Sequence, residues 1–223
     1  RQKGVEQLDC DYLMFVDGDD WINPDMVECF VNALDENDEA DIIVSDVSFE
    51  RVDGEVCVFK NENYNHLLKG DEYLRGILSE TVLHYMVSKL YRRSFLMDAG
   101  YLSYPAITMA EDLYSNGRFA LEYPVVKVIN VPNYFYRYNR DSISRGKDGR
   151  MLLRQVETLK LLTAVYKKAG QYEKYREYFQ CQWMVYAVVY IVSDISYADR
   201  KAICGASKGH LGNVWNSEVC RER

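Results

Sequence analysis

Residues Asp11–Glu28, DYLMFVDGDDWINPDMVE, decide how this chain is read. Asp11 to Val16 is a short apolar run with β-favouring Tyr, Phe and Val, closed by an Asp/Gly cluster, and it predicts a buried strand ending in a loop. A helix is expected directly afterwards. Asn23 suits an N-cap, Pro24 suits the first helical position, and Met26, Val27, Phe30, Val31 and Leu34 recur on one face as far as about Asp35. Between strand and helix stand Asp17, Asp19 and Asp20. In open α/β sheets ligands bind beyond the carboxyl ends of strands, where the sheet fixes the backbone and loops remain free to approach. Gly18 is expected to allow a tight turn that brings two carboxylates to one side. Such a pair suits Mg²⁺ or Mn²⁺, which keep positions open for phosphate oxygens. A solvated acidic turn ahead of a helix is the other reading, and the cluster alone does not separate the two.

Outward from this stretch the chain alternates. Asp41 to Val47 (DIIVSDV) predicts a second buried strand, and Val52 to Lys60 predicts its hairpin partner across an Asp53-Gly54 turn. A helix is expected near Asp71, and a short one from Ser94 that stops at Gly100. Glu111 to Leu121 reads as a helix weakened by Gly117. Val125–Asn130 and Asn133–Tyr138 read as two strands split by Pro132. After Arg150 the period becomes helical throughout. Leu152, Leu153, Val156, Leu159, Leu162 and Tyr166 form one stripe, Gly170 breaks it, and Tyr172 to Val192 resumes it. Two packed helices are expected, with their apolar faces buried in the protein or turned to a partner or a bilayer surface. Residues 198–223 carry no interpretable pattern.

Composition bounds the function. At 223 residues, 48% hydrophobic and 27% charged, the chain is long enough for one sizeable core, or for one core plus a helical appendage, and too short for several independent domains. A formal charge of -7 without a basic, aromatic-rich stripe argues against nucleic acid. Six cysteines at 10, 29, 57, 181, 204 and 220 show no metal-finger or disulfide-scaffold spacing, so reduced thiols are expected. There is no signal peptide, and the longest apolar run, Trp183 to Val192, falls short of a span of about 20 residues. A cytoplasmic protein is therefore expected, at most peripheral at the inner face of a membrane. The opening Arg1-Gln2-Lys3-Gly4 lacks an initiator methionine and suggests a fragment.

DYLMFVDGDDWINPDMVE resembles the family 2 glycosyltransferases, whose strand ends in a DxD motif followed by an Asp, a Trp or another residue, a hydrophobic residue, a variable residue, a Pro and a helix. The likeness continues in order: Ser88-Lys89-Leu90-Tyr91-Arg92-Arg93 is similar to the family's KLYRR segment, Glu111-Asp112 to its ED motif, and Tyr134-Phe135-Tyr136-Arg137 with Ser142-Ile143 to a later segment. The resemblance covers residues 1 to about 145. It implies an α/β, partial GT-A (Rossmann-like) mixed sheet flanked by helices over residues 1–148, with a helical extension over 149–223.

It also implies an inverting, metal-dependent enzyme that moves a sugar from a nucleoside diphosphate sugar to a hydroxyl of a glycan or lipid-linked acceptor, in surface polysaccharide synthesis. Asp17 and Asp19 match the DxD pair, with Asp19 the better match for the metal ligand. Asp112 matches the catalytic base and Glu111 an acceptor contact. Asp20, Arg137, Ser142 and Arg1 fall at donor-binding positions, Arg1 with Gln2 in place of the family's Asn. Trp21 could stack on a sugar or anchor the helix start. Relatives open with a base-binding segment that nothing here matches, so an inactive isolated chain, or a non-catalytic metal- or partner-binding module, is the alternative. An edge left open beside Asp11–Val16 would favour a homodimer.

Overall fold

Seven consecutive residues, Ile42–Ser48, are buried, as expected of a strand covered on both faces and paired along both edges. The computed structural model describes residues 1–139 and 149–192. In chain order its elements are α1 (Gln2–Gln7), β1 (Tyr12–Met14), β2 (Trp21–Ile22), α2 (Met26–Glu36), β3 (Ile42–Glu50), β4 (Val56–Phe59), α3 (Gly70–Leu78), β5 (Lys89–Arg92), α4 (Arg93–Asp98), α5 (Glu111–Phe119), β6 (Val126–Tyr136), α6 (Gly149–Lys168) and α7 (Arg176–Val192). Two compact units result. The first is Arg1–Pro105 with Ser115–Arg140, and the second gathers Ala106–Tyr114 with the helices after residue 148. Ala106–Tyr114, expected with the sheet, thus groups with the C-terminal helices. There the Thr158 hydroxyl donates to the Met109 carbonyl at 2.8 Å.

The first unit is a mixed sheet ordered β1-β5-β3-β6-β2, with β4 on β3. One edge of β3 is divided between two antiparallel neighbours, β5 along Ile42–Val44 and β4 along Val47–Glu50, and β6 runs parallel along the other edge. Gly54, at φ 83°, closes the β3–β4 hairpin in the left-handed region that glycine tolerates best. Pro132 does not split the last strand as expected. β6 runs through it because the register with β3 shifts around Asp46, and a proline is tolerated at such a bulge. The shift is filled by buried polar groups. Asp46 Oδ1 accepts the Asn61 N–H at 2.8 Å and its side-chain amide at 2.9 Å, while Asn61 Oδ1 accepts the Leu83 N–H at 2.8 Å.

α2 packs Met26, Phe30 and Ala33 against Ile43, Val47 and Tyr134. Two details differ from expectation. The helix starts at Met26, not Pro24, because the Asn23 N–H is committed to the Asn133 carbonyl at 2.8 Å, prolonging the β2–β6 ladder, and the Asn23 carbonyl receives the Met26 N–H. Val27 and Val31 are also outside the core, at 54% and 47% exposure. They line an open groove of about 300 Å³ with Tyr12, Met14, Leu34 and Leu90. On the other side of the unit an aromatic cluster surrounds Phe119, which meets Tyr91, Phe95, Tyr101 and Tyr104 at centroid distances of 5.7–6.0 Å. Asn116 ties it together, accepting the Tyr73 hydroxyl at 2.7 Å and donating to the His84 carbonyl at 2.8 Å.

The second unit buries the expected stripe, with Val156, Leu159, Leu162 and Tyr166 of α6 and Phe179 and Trp183 of α7 at most 1% exposed. These positions are covered by protein. Cys10, Cys29 and Cys57 are free thiols, whereas Cys181 is disulfide-bonded, contrary to the expectation of reduced thiols throughout. Among the described residues no helix is long and apolar enough to cross a membrane. The helix-face assignment predicts that Phe30→Ala costs about 3–5 kcal/mol. Val27→Ala and Val31→Ala should each cost under about 1 kcal/mol. Urea denaturation of the three variants checks this, and similar losses at all three would mean that α2 presents a different face.

Candidate functional site

The carboxyl end of β1 continues through Phe15, bridged to Val87, and Val16 into the aspartate loop. The Asp20 N–H returns to the Asp17 carbonyl at 3.2 Å, closing a four-residue turn. Gly18 is not what makes this turn possible. Its φ is not positive, and a Cβ there would meet nothing within 4 Å. The turn is held from outside, and each aspartate has a different partner.

Asp17 faces Arg1, whose Nη2 donates to both carboxylate oxygens at 2.8 and 3.1 Å, while the guanidinium lies 6.0 Å from the centroid of Phe15. Asp19 is exposed. Its Oδ2 accepts the Asn139 side-chain amide at 3.1 Å, and among the described residues its Oδ1 has no hydrogen-bond partner. Asp20 turns inward, where Oδ2 accepts the Tyr134 hydroxyl at 2.6 Å and Oδ1 accepts the Arg137 N–H at 2.9 Å. Burial raises the Asp20 pKa. Those two hydrogen bonds oppose the rise, and the neighbouring Asp19 and Asp17 charges add to it. Burial, followed by the bond to Asp20, drives the Tyr134 phenol far above its ordinary value.

Arg137 therefore reaches the loop through its backbone, and its side chain stands exposed. Trp21 pairs across the β2–β6 ladder with Phe135 and stacks on it, with centroids 5.7 Å apart and planes 14° apart. At 46% exposure Trp21 is only partly an anchor. Ser142 lies outside the described residues. In the second unit, Glu111 and Asp112 occupy the first turn of α5, where the helix dipole favours carboxylates. Ala110, immediately before them, has φ 56°, a left-handed conformation that costs a Cβ-bearing residue about 1–2 kcal/mol. Such strain gathers at functional sites.

The segment Ser88–Arg93 is largely structural. Lys89 is fully buried, and its ammonium donates to the Leu83 carbonyl at 2.6 Å and also to that of Tyr85. Arg92 donates to the Ala40 carbonyl at 3.0 Å, and Arg93 to that of Val5 at 3.1 Å, tying α1 and the α2–β3 connection to the sheet.

Among the described residues no group of three or more His, Cys, Asp and Glu side chains is arranged to hold a metal ion by itself. A Mg²⁺ or Mn²⁺ shared with substrate phosphates needs only one or two carboxylates. Asp19, exposed and with one oxygen open, fits that need, whereas Asp17 is engaged with Arg1. Asn139 is a site residue that the sequence does not single out, and Tyr134 enters there only as part of the family-like segment Tyr134–Arg137. The one available signal was that Tyr134 alternates with Phe135 along a strand, so the two side chains face opposite sides.

Residues 1–100 match the family described as Glycosyl transferase family 2. "Putative glycosyltransferase EpsH" of Bacillus subtilis (strain 168) is 25% identical over 182 residues, covering 79% of this chain and 52% of that protein. The fold is similar to the crystal structure of S. aureus TarS, at TM-score 0.53 and 13% identity, covering 99% of this chain and 42% of that one. It is also similar to TarS 1-349 in complex with UDP-GlcNAc, at TM-score 0.51 and 17% identity, covering 96% and 50%. The chain thus spans about half the length of the relatives it matches. The mixed sheet flanked by helices is that of the GT-A glycosyltransferases.

Because the Arg1–Asp17 pair is 26% and 40% exposed, solvent screens it. Arg1→Gln is expected to change stability by less than about 1 kcal/mol in urea denaturation.

Proposed function

We propose that this chain, whose residues 1–100 match glycosyl transferase family 2, transfers a sugar from a nucleoside diphosphate sugar to a hydroxyl of a glycan or lipid-linked acceptor, with inversion, in surface polysaccharide synthesis. The observation that carries this reading is Asp19 at the end of a sheet strand, exposed and with Oδ1 open, in a turn whose other two aspartates are already engaged. The bound UDP-GlcNAc of the S. aureus relative supports a nucleotide-sugar donor.

Asp19 would hold a Mn²⁺ or Mg²⁺ ion shared with the donor diphosphate, with Asp17 beside it carrying its charge against Arg1. When bound, the ion supplies Lewis-acid stabilisation of the departing diphosphate. The Arg137 guanidinium and the Ser142 hydroxyl are natural phosphate donors. Asp112 takes the acceptor hydroxyl's proton as that oxygen attacks the anomeric carbon opposite the leaving group, and the configuration inverts. Glu111 contacts the acceptor. A carboxylate in the first turn of a helix is favoured by the helix dipole, and a carboxylate positioned at an acceptor hydroxyl can act as a general base.

Donor turnover with Mn²⁺ tests the assignment. Asp112→Asn is expected to lower kcat by about 10²–10⁴-fold with donor affinity retained. Asp19→Ala is expected to lower kcat/KM by about 10²-fold or more, and chelation of the metal by as much again. Wild-type rates in both variants would sink the mechanism. Binding of a nucleoside diphosphate and Mn²⁺ without turnover would instead assign a non-catalytic binding module. Homodimerisation through β1, an edge strand among the described residues, belongs to the same proposal, and a clean monomer by light scattering at high concentration would remove it.

A further inference from the structure

We propose that Tyr134 is a positioning residue for the donor site, acting through Asp20, and that Asp20 is the loop's anchor rather than a ligand of the donor. The inference rests on the donor reading above. The Tyr134 ring is fully buried among Met26, Phe30 and Val47, so the packed sheet and α2 determine where its hydroxyl stands. That hydroxyl does two things at once. It donates to Asp20 Oδ2 at 2.6 Å and accepts the Asp17 N–H at 3.1 Å, spanning the first and last residues of the turn. The second Asp20 oxygen takes the Arg137 N–H at 2.9 Å, three residues further along the same strand direction. Both oxygens of Asp20 are therefore directed at β6 and its continuation, and neither is offered outward.

The consequence is for the two residues between, Gly18 and Asp19. A Cβ at Gly18 would meet nothing within 4 Å, so packing inside the turn does not hold it. With its ends clamped to one phenol, the turn is held to the sheet, and Asp19 between them is exposed, with Oδ1 open among the described residues. A hydrogen bond to a carboxylate is stronger than one between neutral groups, and pre-set ligands lose less freedom when they bind. Tyr134→Phe keeps the ring that packs in the core and removes both hydroxyl contacts.

Calorimetry of the full chain with UDP and Mn²⁺ tests this, using wild type, Tyr134→Phe, Asp20→Asn and Asp19→Ala. Asp20→Asn leaves the core untouched and keeps the test valid if Tyr134→Phe fails to fold. For both latch variants the expected result is a dissociation constant raised about tenfold, with binding stoichiometry unchanged. A merely structural role would lower the stoichiometry, as protein unfolds, and leave the constant alone. Wild-type constants in Tyr134→Phe and Asp20→Asn, with binding abolished in Asp19→Ala, would overturn the latch and leave the donor reading standing. Absence of UDP–Mn²⁺ binding by wild type, or wild-type binding by Asp19→Ala, would overturn the donor reading and the latch with it.

Discussion

The parallel pairing of β3 with β6 is the constraint on which the first unit depends. It begins in register, Ile42 against Val126, and slips around Asp46, so that Asp46 stands opposite Pro132 and Val47 opposite Tyr134. The slip decides which β6 side chains face α2. Because of it, Tyr134 enters the core between Val47 and Phe30, and Asn133 presents its carbonyl to Asn23. The cost of interrupting a central ladder is offset by the buried Asp46 and Asn61, which satisfy each other and the Leu83 N–H, with the exposed Asn130 donating its side-chain amide to the Asn61 carbonyl at 2.9 Å. A polar network is worth burying only when its members are paired, and here it serves as the hinge between two registers.

From that packing the aspartate turn takes its form. Three carboxylates within four residues repel one another, and they are kept apart by being given different partners: a guanidinium for Asp17, an amide for Asp19, a phenol and a backbone N–H for Asp20. Only one of these arrangements leaves a carboxylate oxygen open. The division separates a residue suited to bind a cation from one suited to hold the turn in place, although the sequence presents them as near equivalents. Trp21, next in the chain, extends the sheet edge by stacking on Phe135.

The second unit follows simpler rules. Its helices bury one continuous apolar stripe, and aromatic contacts among Tyr166, Tyr172, Tyr175 and Phe179 hold α6 to α7 at centroid distances of 5.1–5.8 Å. Glu111 and Asp112 open α5 after a strained Ala110. No pattern of residue types could announce that strain, since alanine carries no signal for a left-handed backbone.

Periodicity and turn chemistry determined, from the sequence alone, the strand before the aspartates, the buried β3, the Gly54 hairpin and the two C-terminal helices, because these depend on neighbours a few residues apart. Ordered motifs were enough to point to the family. The facing of Val27 and Val31, the passage of β6 through Pro132 and the disulfide at Cys181 were not legible, because each depends on what lies across the fold. The same holds for the cluster Asp17, Asp19 and Asp20. Its place at a strand end was readable, but the role of each carboxylate was decided by Arg1, Asn139 and Tyr134, which are 16, 120 and 114 residues from their partners. Side-chain chemistry is local in the sequence, whereas hydrogen-bond partners are assigned only when a packed sheet brings distant segments to one place.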